Sequence, residues 1–174
     1  MLEIKKAEAK DARIISLLGR VTFTETFGHL YRDKNDLLTY FERTFSVAKI
    51  ENGLRKTNNV FWIAYLDKLP VGYAKLKLDS RSEFSRSENI CQLQKIYVLQ
   101  DFHSMKIGSE LQNQLLSEAK ERLFDEIWLS VLETNYKAIN FYERNNFKIV
   151  GTHTFRIGKE IFDFAAMLRR LNVK

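Results

Sequence analysis

The sequence predicts a mixed α/β fold in which helices cover the faces of one central β-sheet. Apolar residues recur with alternating strand-like and helix-like periods, in the order β-α-α-β-β-β-α-β-α-β-β. The central strand-helix-strand segment, residues 90–132, places two parallel strands side by side with a crossover helix between them. The length of 174 residues and the apolar content of 45% suit a single domain over residues 1–174 with a substantial core.

The first third of the chain predicts one strand followed by helices. Residues 2–7 alternate apolar and polar side chains, the pattern of a short strand. Asp11 can cap a helix whose apolar positions recur at helical spacing. Helical periodicity returns over residues 35–56, whereas the aromatic stretch 23–33 has no clear assignment.

The remaining two thirds alternate more regularly. Residues 60–66 and 71–78 flank a turn at Pro70 and predict a hairpin. The later elements are predicted as a strand over 90–99, a helix over 107–123, a strand over 126–132, a helix over 135–145, and strands over 149–157 and 161–168.

Composition excludes several classes of protein. No apolar run reaches the roughly 18 residues of a membrane span, and residues 1–6 lack the apolar core of a signal peptide. Cys91 is the single cysteine and cannot form an internal disulfide, which predicts a reducing, cytoplasmic location without a membrane partner. His29, His103 and His153 lack close ligand spacing, so no metal site is predicted.

The net charge of +6 is concentrated in the last quarter of the chain. Residues 134–174 hold 8 of the 28 Lys and Arg residues but only 3 of the 22 Asp and Glu residues. Such an excess suits either a nucleic acid or a small polyanion such as a nucleotide cofactor. The segment lacks the dense cationic clusters and stacking aromatics of a nucleic-acid module, so no nucleic-acid partner is predicted.

Two segments could carry chemistry. The first, residues 100–109, joins a strand to a helix N-terminus, where free backbone N–H groups suit a phosphate. Lys106 would add a positive charge there, and Ser109 would add a hydroxyl. Gly108 would let a ligand approach the backbone closely. The second is the predicted helix 135–145, on which Ala138 and Tyr142 share a face. Its aromatic residues are expected in the core, and Tyr142 has a chemical role only if its hydroxyl reaches a reacting group.

Together these segments resemble the GCN5-related N-acetyltransferase (GNAT) superfamily. Its acetyl-CoA loop, Gln/Arg-x-x-Gly-x-Gly/Ala, falls on residues 103–108, with Gly108 kept, His103 in place of Gln/Arg and Lys106 in place of the first glycine. A second signature, Asn-x-x-Ala-x-x-Phe-Tyr-x-x-x-x-Phe, is intact and comprises Asn135, Ala138, Phe141, Tyr142 and Phe147. The resemblance covers residues 2–170 and implies a sheet of six to seven strands whose parallel pair splays at the cofactor site.

The resemblance implies direct transfer of an acetyl group from acetyl-CoA to an amine. In this scheme the backbone N–H of Val98 faces the acetyl oxygen, Lys106 and neighbouring amides take the pyrophosphate, and Asn135 bonds the pantetheine or orders the site. Tyr142 is the implied catalytic residue, protonating the departing thiolate. The full implied cofactor set is Ile96, Tyr97, Val98, His103, Ser104, Met105, Lys106, Ile107, Gly108, Ser109, Asn135, Ala138 and Tyr142.

Two further stretches are similar to bacterial spermidine/spermine acetyltransferases, and they predict a small-molecule amine such as a polyamine as acceptor. They are residues 22–27 and residues 151–158 with the next strand. Glu25, Phe27 and His153 are the predicted acceptor-binding residues. A protein N-terminus or lysine is the alternative acceptor, and a non-catalytic acyl-CoA-binding module is the alternative class. A homodimer is compatible with this fold.

The sequence does not identify one residue as the general base. Glu25, Glu133 and His153 can titrate and could act directly or through water. Gln92 and Gln94 cannot, because an amide side chain does not titrate in water. An acceptor that binds as the neutral amine would need no base.

Overall fold

The computed structural model describes residues 1–171, which form seven strands, five α-helices and three short 3₁₀ turns. The strands are β1 (Leu2–Lys6), β2 (Asn59–Leu66), β3 (Leu69–Lys77), β4 (Ile90–Val98), β5 (Glu126–Leu132), β6 (Lys148–Ile157) and β7 (Glu160–Arg170). The helices are α1 (Ala12–Phe27), α2 (Lys34–Phe45), α3 (Val47–Leu54), α4 (Ile107–Glu121) and α5 (Tyr136–Arg144).

All seven strands form one mixed sheet in the order β1-β2-β3-β4-β5-β7-β6. Neighbours are antiparallel except β4 and β5, the parallel pair that α4 connects. The predicted mixed sheet of six to seven strands with one parallel pair is therefore confirmed. Of the helices in the described part of the chain, none is long and apolar enough to cross a membrane.

Each face of the sheet carries its own apolar core. Ile107, Leu111 and Leu115 of α4 are almost fully buried against one face, where α5 also packs. On the other face, Ile15 and Phe23 of α1 pack with residues of α2 and α3 over the inner side chains of β2 and β3. Successive residues of a strand point to opposite sides of the sheet, so each face presents a different set of side chains to its helices.

The aromatic stretch 23–33, unassigned from the sequence, extends α1 to Phe27 and then forms a 3₁₀ turn at Gly28–Leu30. The Phe23 and Phe27 rings lie one helical turn apart, 4.8 Å between centroids, and Phe23 lies equally close to Tyr40 of α2. These ring contacts supply packing that a periodicity argument along one segment does not contain.

The helical region predicted over 35–56 is two helices. Ser46 has an extended backbone (φ −61°, ψ 147°) between α2 and α3, and its hydroxyl accepts the Lys49 backbone N–H at 3.4 Å. A serine in this conformation caps a new helix, so the chain turns at Ser46.

A β-bulge in β4 changes which side chains face the helices. Lys75 of β3 pairs with Lys95, and Leu76 pairs with Leu93, so Gln94 is left over on β4. Leu93 and Ile96 consequently both pack on the α4 face, while Tyr97 packs on the α1 face.

Candidate active site

The centre of the sheet opens between its two parallel strands. β4 and β5 pair only through three residue pairs, the last of which is Gln92 with Trp128. Beyond that point no pairing joins them, so the C-terminal ends of both strands are free to line a space. A cavity of about 850 Å³ occupies it and is bordered by both strand ends, the loop before α4 and the start of α5.

The loop between β4 and α4 presents backbone N–H groups to this cavity. α4 begins at Ile107 without a side-chain cap, so its first N–H groups have no intrahelical partner. A Cβ added at Gly108 would meet no atom within 4 Å, so the space beside that backbone is open. The Lys106 side chain borders the same space. Free amides, a helix N-terminus and an ammonium form the donor set that a pyrophosphate requires.

The loop reaches this shape through two left-handed residues. Ser104 has φ 69° and Lys106 has φ 60°. A left-handed backbone favours glycine, which explains why the resembling pattern places glycine where this chain has Lys106. His103 secures the loop, because its Nε2 lies 2.9 Å from the Val98 carbonyl oxygen and donates to it.

The start of α5 brings the second signature to the cavity. The side chain of Asn135 accepts the Ala138 backbone N–H at 3.2 Å, so Asn135 is the N-cap of α5. Ala138, Phe141 and Tyr142 line the cavity on the following turns. This cap fixes the start of α5, and the implied bond from Asn135 to the pantetheine stays a prediction.

Tyr142 lies among aromatic rings at the inner end of α5. Its ring packs edge-on against Phe141 and Phe147, with centroids 5.3 and 5.7 Å away. Only 8% of Tyr142 is exposed, and this burial raises the pKa of its hydroxyl well above the ordinary value. The hydroxyl therefore keeps its proton at neutral pH and can act as a donor.

The predicted acceptor residues line the same cavity from α1 and β6, and this part of it is called the acceptor end. The Glu25 carboxylate accepts the Gln100 backbone N–H at 3.0 Å, joining α1 to the end of β4. His153 Nε2 lies 2.8 Å from Ser130 Oγ, and its ring stacks on Phe164 at 5.7 Å. Phe27 also lines this end, whereas Glu133 is absent from the described lining.

The structure thus brings nearly all predicted site residues around one cavity. Those that line it are Glu25, Phe27, Ile96, Tyr97, Val98, His103, Ser104, Lys106, Ile107, Gly108, Ser109, Asn135, Ala138, Tyr142 and His153. Met105 lies outside the lining and is 50% exposed, and the candidate base Glu133 lies outside it as well. Within residues 1–171 no group of three His, Cys, Asp or Glu side chains could hold a metal ion.

Sequence reasoning missed the walls of the acceptor end. Phe23, Tyr31 and Tyr40 from the α1–α2 region, together with Phe162 of β7, surround it. The density of aromatic residues over 23–33 was the available signal. The inward position of Lys95 had no such signal, because it depends on the bulge at Gln94.

The donor set and the cavity fit acetyl-CoA. A parted strand pair offers room for an extended pantetheine arm, and the amides of the α4 N-terminus with Lys106 suit its pyrophosphate. Tyr142 lines the same cavity and supplies a protonated hydroxyl.

Comparison with known proteins agrees with this assignment. Residues 23–147 match the model of the acetyltransferase (GNAT) family. An uncharacterized N-acetyltransferase of Lactobacillus delbrueckii is 24% identical over 91% of both chains. A spermidine N(1)-acetyltransferase of Thermoplasma acidophilum is 22% identical over 87% of this chain and 91% of its own.

The fold is similar to that of a solved member of the family. The PaiA N-acetyltransferase of Thermoplasma acidophilum, crystallised with coenzyme A, superposes with a TM-score of 0.78 at 20% identity, over 98% of this chain and 99% of that one. Because the family model covers most of the chain and the fold agrees throughout, the chain belongs to the GNAT family of acetyl-CoA-dependent N-acetyltransferases.

Proposed function

We propose that the chain transfers the acetyl group of acetyl-CoA directly to a primary amine of a small molecule. The observation that carries the proposal is that the parted strands, the uncapped N-terminus of α4 and Tyr142 all border the same cavity. Direct transfer needs no enzyme nucleophile. Cys91 fits this requirement, because it is fully buried in β4 and burial raises the pKa of its thiol to about 12.

Each end of the cofactor has a proposed holder. The amides of Ile107, Gly108 and Ser109 and the ammonium of Lys106 hold the pyrophosphate. The C-terminal halves of β4 and β5 hold the pantetheine arm, and the Val98 N–H stabilises the oxygen on which negative charge develops. Acetyl-CoA supplies the activated acetyl group once it is bound there.

Tyr142 is the proposed proton donor to the departing sulfur. Its hydroxyl is protonated at neutral pH and buried, which strengthens any hydrogen bond it donates. The acceptor amine must lose its own proton, since a free alkylamine has a pKa of about 10. His153 and Glu25 line the cavity at that end and are the candidate bases, directly or through water.

A polyamine is the first acceptor to test. Two similar stretches of sequence and the relative named a spermidine N(1)-acetyltransferase support this choice. The test combines calorimetric titration with acetyl-CoA and a thiol-release assay on an amine panel that includes spermidine and an N-terminal peptide. Turnover on a small amine supports the proposal, and turnover only on the peptide favours a protein acceptor. Tight binding without turnover on any amine favours a non-catalytic acyl-CoA-binding module.

Lys106→Ala is expected to weaken acetyl-CoA binding about fivefold, with a larger loss at low salt. The lysine is exposed, so solvent and ions screen its charge and the effect stays modest. Lys106→Gly should weaken binding equally while relieving the left-handed backbone, which separates charge from conformation. Lys120→Ala at the far end of α4 is the control. Unchanged affinity in both Lys106 variants would remove this lysine from the pyrophosphate site.

A further inference from the structure

The acceptor end of the cavity has the composition of a site for an aromatic or apolar molecule. Its walls include Phe23, Tyr31, Tyr40, Tyr97, Phe162 and Phe164. Rings of this kind bury large apolar area and offer flat faces to a ligand. Any conclusion about the acceptor rests on the proposed acetyl transfer, because only then is this end of the cavity the place where the amine binds.

The charges at this end do not suit a polycation. Glu25 is the single carboxylate among the described residues that line the cavity. It already accepts the Gln100 backbone N–H, which occupies part of its acceptor capacity. A polyamine with several ammonium groups would thus find one partly used carboxylate and a lysine of like charge.

That lysine is Lys95 on β4. Its Nζ lies 5.0 Å from the ring centroid of Phe45 and 5.8 Å from that of Tyr97, and Lys95 is one of the residues that line the cavity. Within residues 1–171 no carboxylate forms an ion pair with Lys95. Burial lowers the pKa of this ammonium to about 8, so most of it remains charged at neutral pH. Lys95 is half-buried, and the faces of Phe45 and Tyr97 offset part of the cost of taking its charge out of water. An anionic ligand would offset the remainder.

Neighbouring lysines extend the positive potential. Lys75 pairs directly with Lys95 across the β3–β4 register. Burial lowers the pKa of Lys75 to about 8 as well, with repulsion from Lys95, Lys77 and Lys49 contributing. This side of the sheet therefore attracts anions and repels cations.

Two tyrosine hydroxyls add neutral donors to the same region. Tyr31 and Tyr97 both line the cavity, and burial raises the pKa of each hydroxyl above its ordinary range. Both stay protonated at neutral pH. A carboxylate accepts hydrogen bonds only, so ammonium and hydroxyl donors are its natural partners.

We infer that the acceptor amine also carries a carboxylate, which Lys95 binds at the aromatic end of the cavity. Val98 lies three positions after Lys95 along β4, a rise of about 10 Å, so the carboxylate lies several bonds from the reacting amine. The acceptor is accordingly an amino acid-like molecule with an apolar or aromatic body between its two charged ends.

A pair of nearly isosteric ligands tests this inference. 4-(Aminomethyl)benzoate and 4-(aminomethyl)benzamide differ in charge but hardly in shape. We expect kcat/KM for the carboxylate to exceed that for the amide by about tenfold or more, the scale of a hydrogen-bonded charge. Calorimetric binding of both ligands to the coenzyme A complex should show the same order. Equal values for the two ligands, or a preference for spermidine over both, would overturn the inference.

Substitution then assigns the preference to one side chain. Lys95→Gln should reduce the carboxylate-to-amide ratio to about one, because a neutral amide cannot distinguish the two ligands by charge. Lys77→Gln, on neighbouring β3 and outside the cavity lining, is the matched control and should keep the wild-type ratio. A ratio that persists in Lys95→Gln contradicts the inference.

The outcomes also separate this inference from the proposed function. If the protein acetylates amines but shows no preference for the carboxylate ligand, the inference about Lys95 fails and the proposed acetyl transfer stands. Absence of turnover on every amine defeats the proposed transfer, and the binding ratio of the two ligands then still decides for or against Lys95.

Discussion

Tyr142→Phe is expected to lower kcat about 100-fold while leaving the affinity for acetyl-CoA nearly unchanged. The substitution removes one hydroxyl and keeps the ring that packs against Phe141 and Phe147. A positioned acid contributes about 10²-fold or more to a rate, and loss of a proton donor affects the transition state rather than binding. The measurement is steady-state thiol release at saturating substrates, together with calorimetric titration of acetyl-CoA.

Tyr136→Phe is the matched control for this result. Tyr136 lies on the same helix but is 69% exposed and lies outside the cavity lining. It should keep the wild-type kcat. A Tyr142→Phe enzyme with undiminished kcat would show that the departing thiolate takes its proton from elsewhere.

Gly108→Asp is expected to weaken acetyl-CoA binding about 100-fold or more. The new carboxylate would stand in the open space beside the first turn of α4, where the pyrophosphate is proposed to bind. Two like charges about 4 Å apart repel by about 4 kcal/mol at the effective dielectric of a protein surface. Calorimetric titration measures the loss directly.

The fold should tolerate this change, because a Cβ at position 108 meets no atom within 4 Å. Gly108→Ala therefore serves as the steric control, with unchanged thermal stability and an affinity close to wild type. Loss of affinity in Gly108→Ala equal to that in Gly108→Asp would argue against electrostatic repulsion. Retained affinity in Gly108→Asp would place the pyrophosphate elsewhere.

The sequence predicts the elements whose packing is periodic within a single segment. The strand predicted over 126–132 coincides with β5, because its buried and half-buried positions alternate in the chain itself. Residues 23–33 and the break at Ser46 escaped prediction for the opposite reason. The conformation of residues 23–33 depends on contacts with aromatic rings of α2. The break at Ser46 depends on a helix cap, which the spacing of apolar residues does not reveal.

The candidate site divides in the same way. Its cofactor end consists of the backbone amides at the start of α4 and the signature residues of α5. Both lie at fixed spacings within one segment, so a sequence motif identifies them. Its acceptor end depends on which way β4 side chains point, and the extra residue Gln94 decides that. A shift of one residue moves a side chain to the other face of a sheet, so the inward position of Lys95 follows from tertiary register alone.

The seven strands form two panels, β1 to β4 and β5 to β7, that share only three residue pairs along their common border. The chain begins in the outer strand of one panel and its described part ends just after β7 in the other. Tension applied between β1 and β7 would act on the border between β4 and β5, which has fewer residue pairs than any other border in the sheet. A ligand bound in the cleft would contact both groups of strands and hold them together. The force needed to separate them would therefore be higher in the ligand-bound protein than in the free protein.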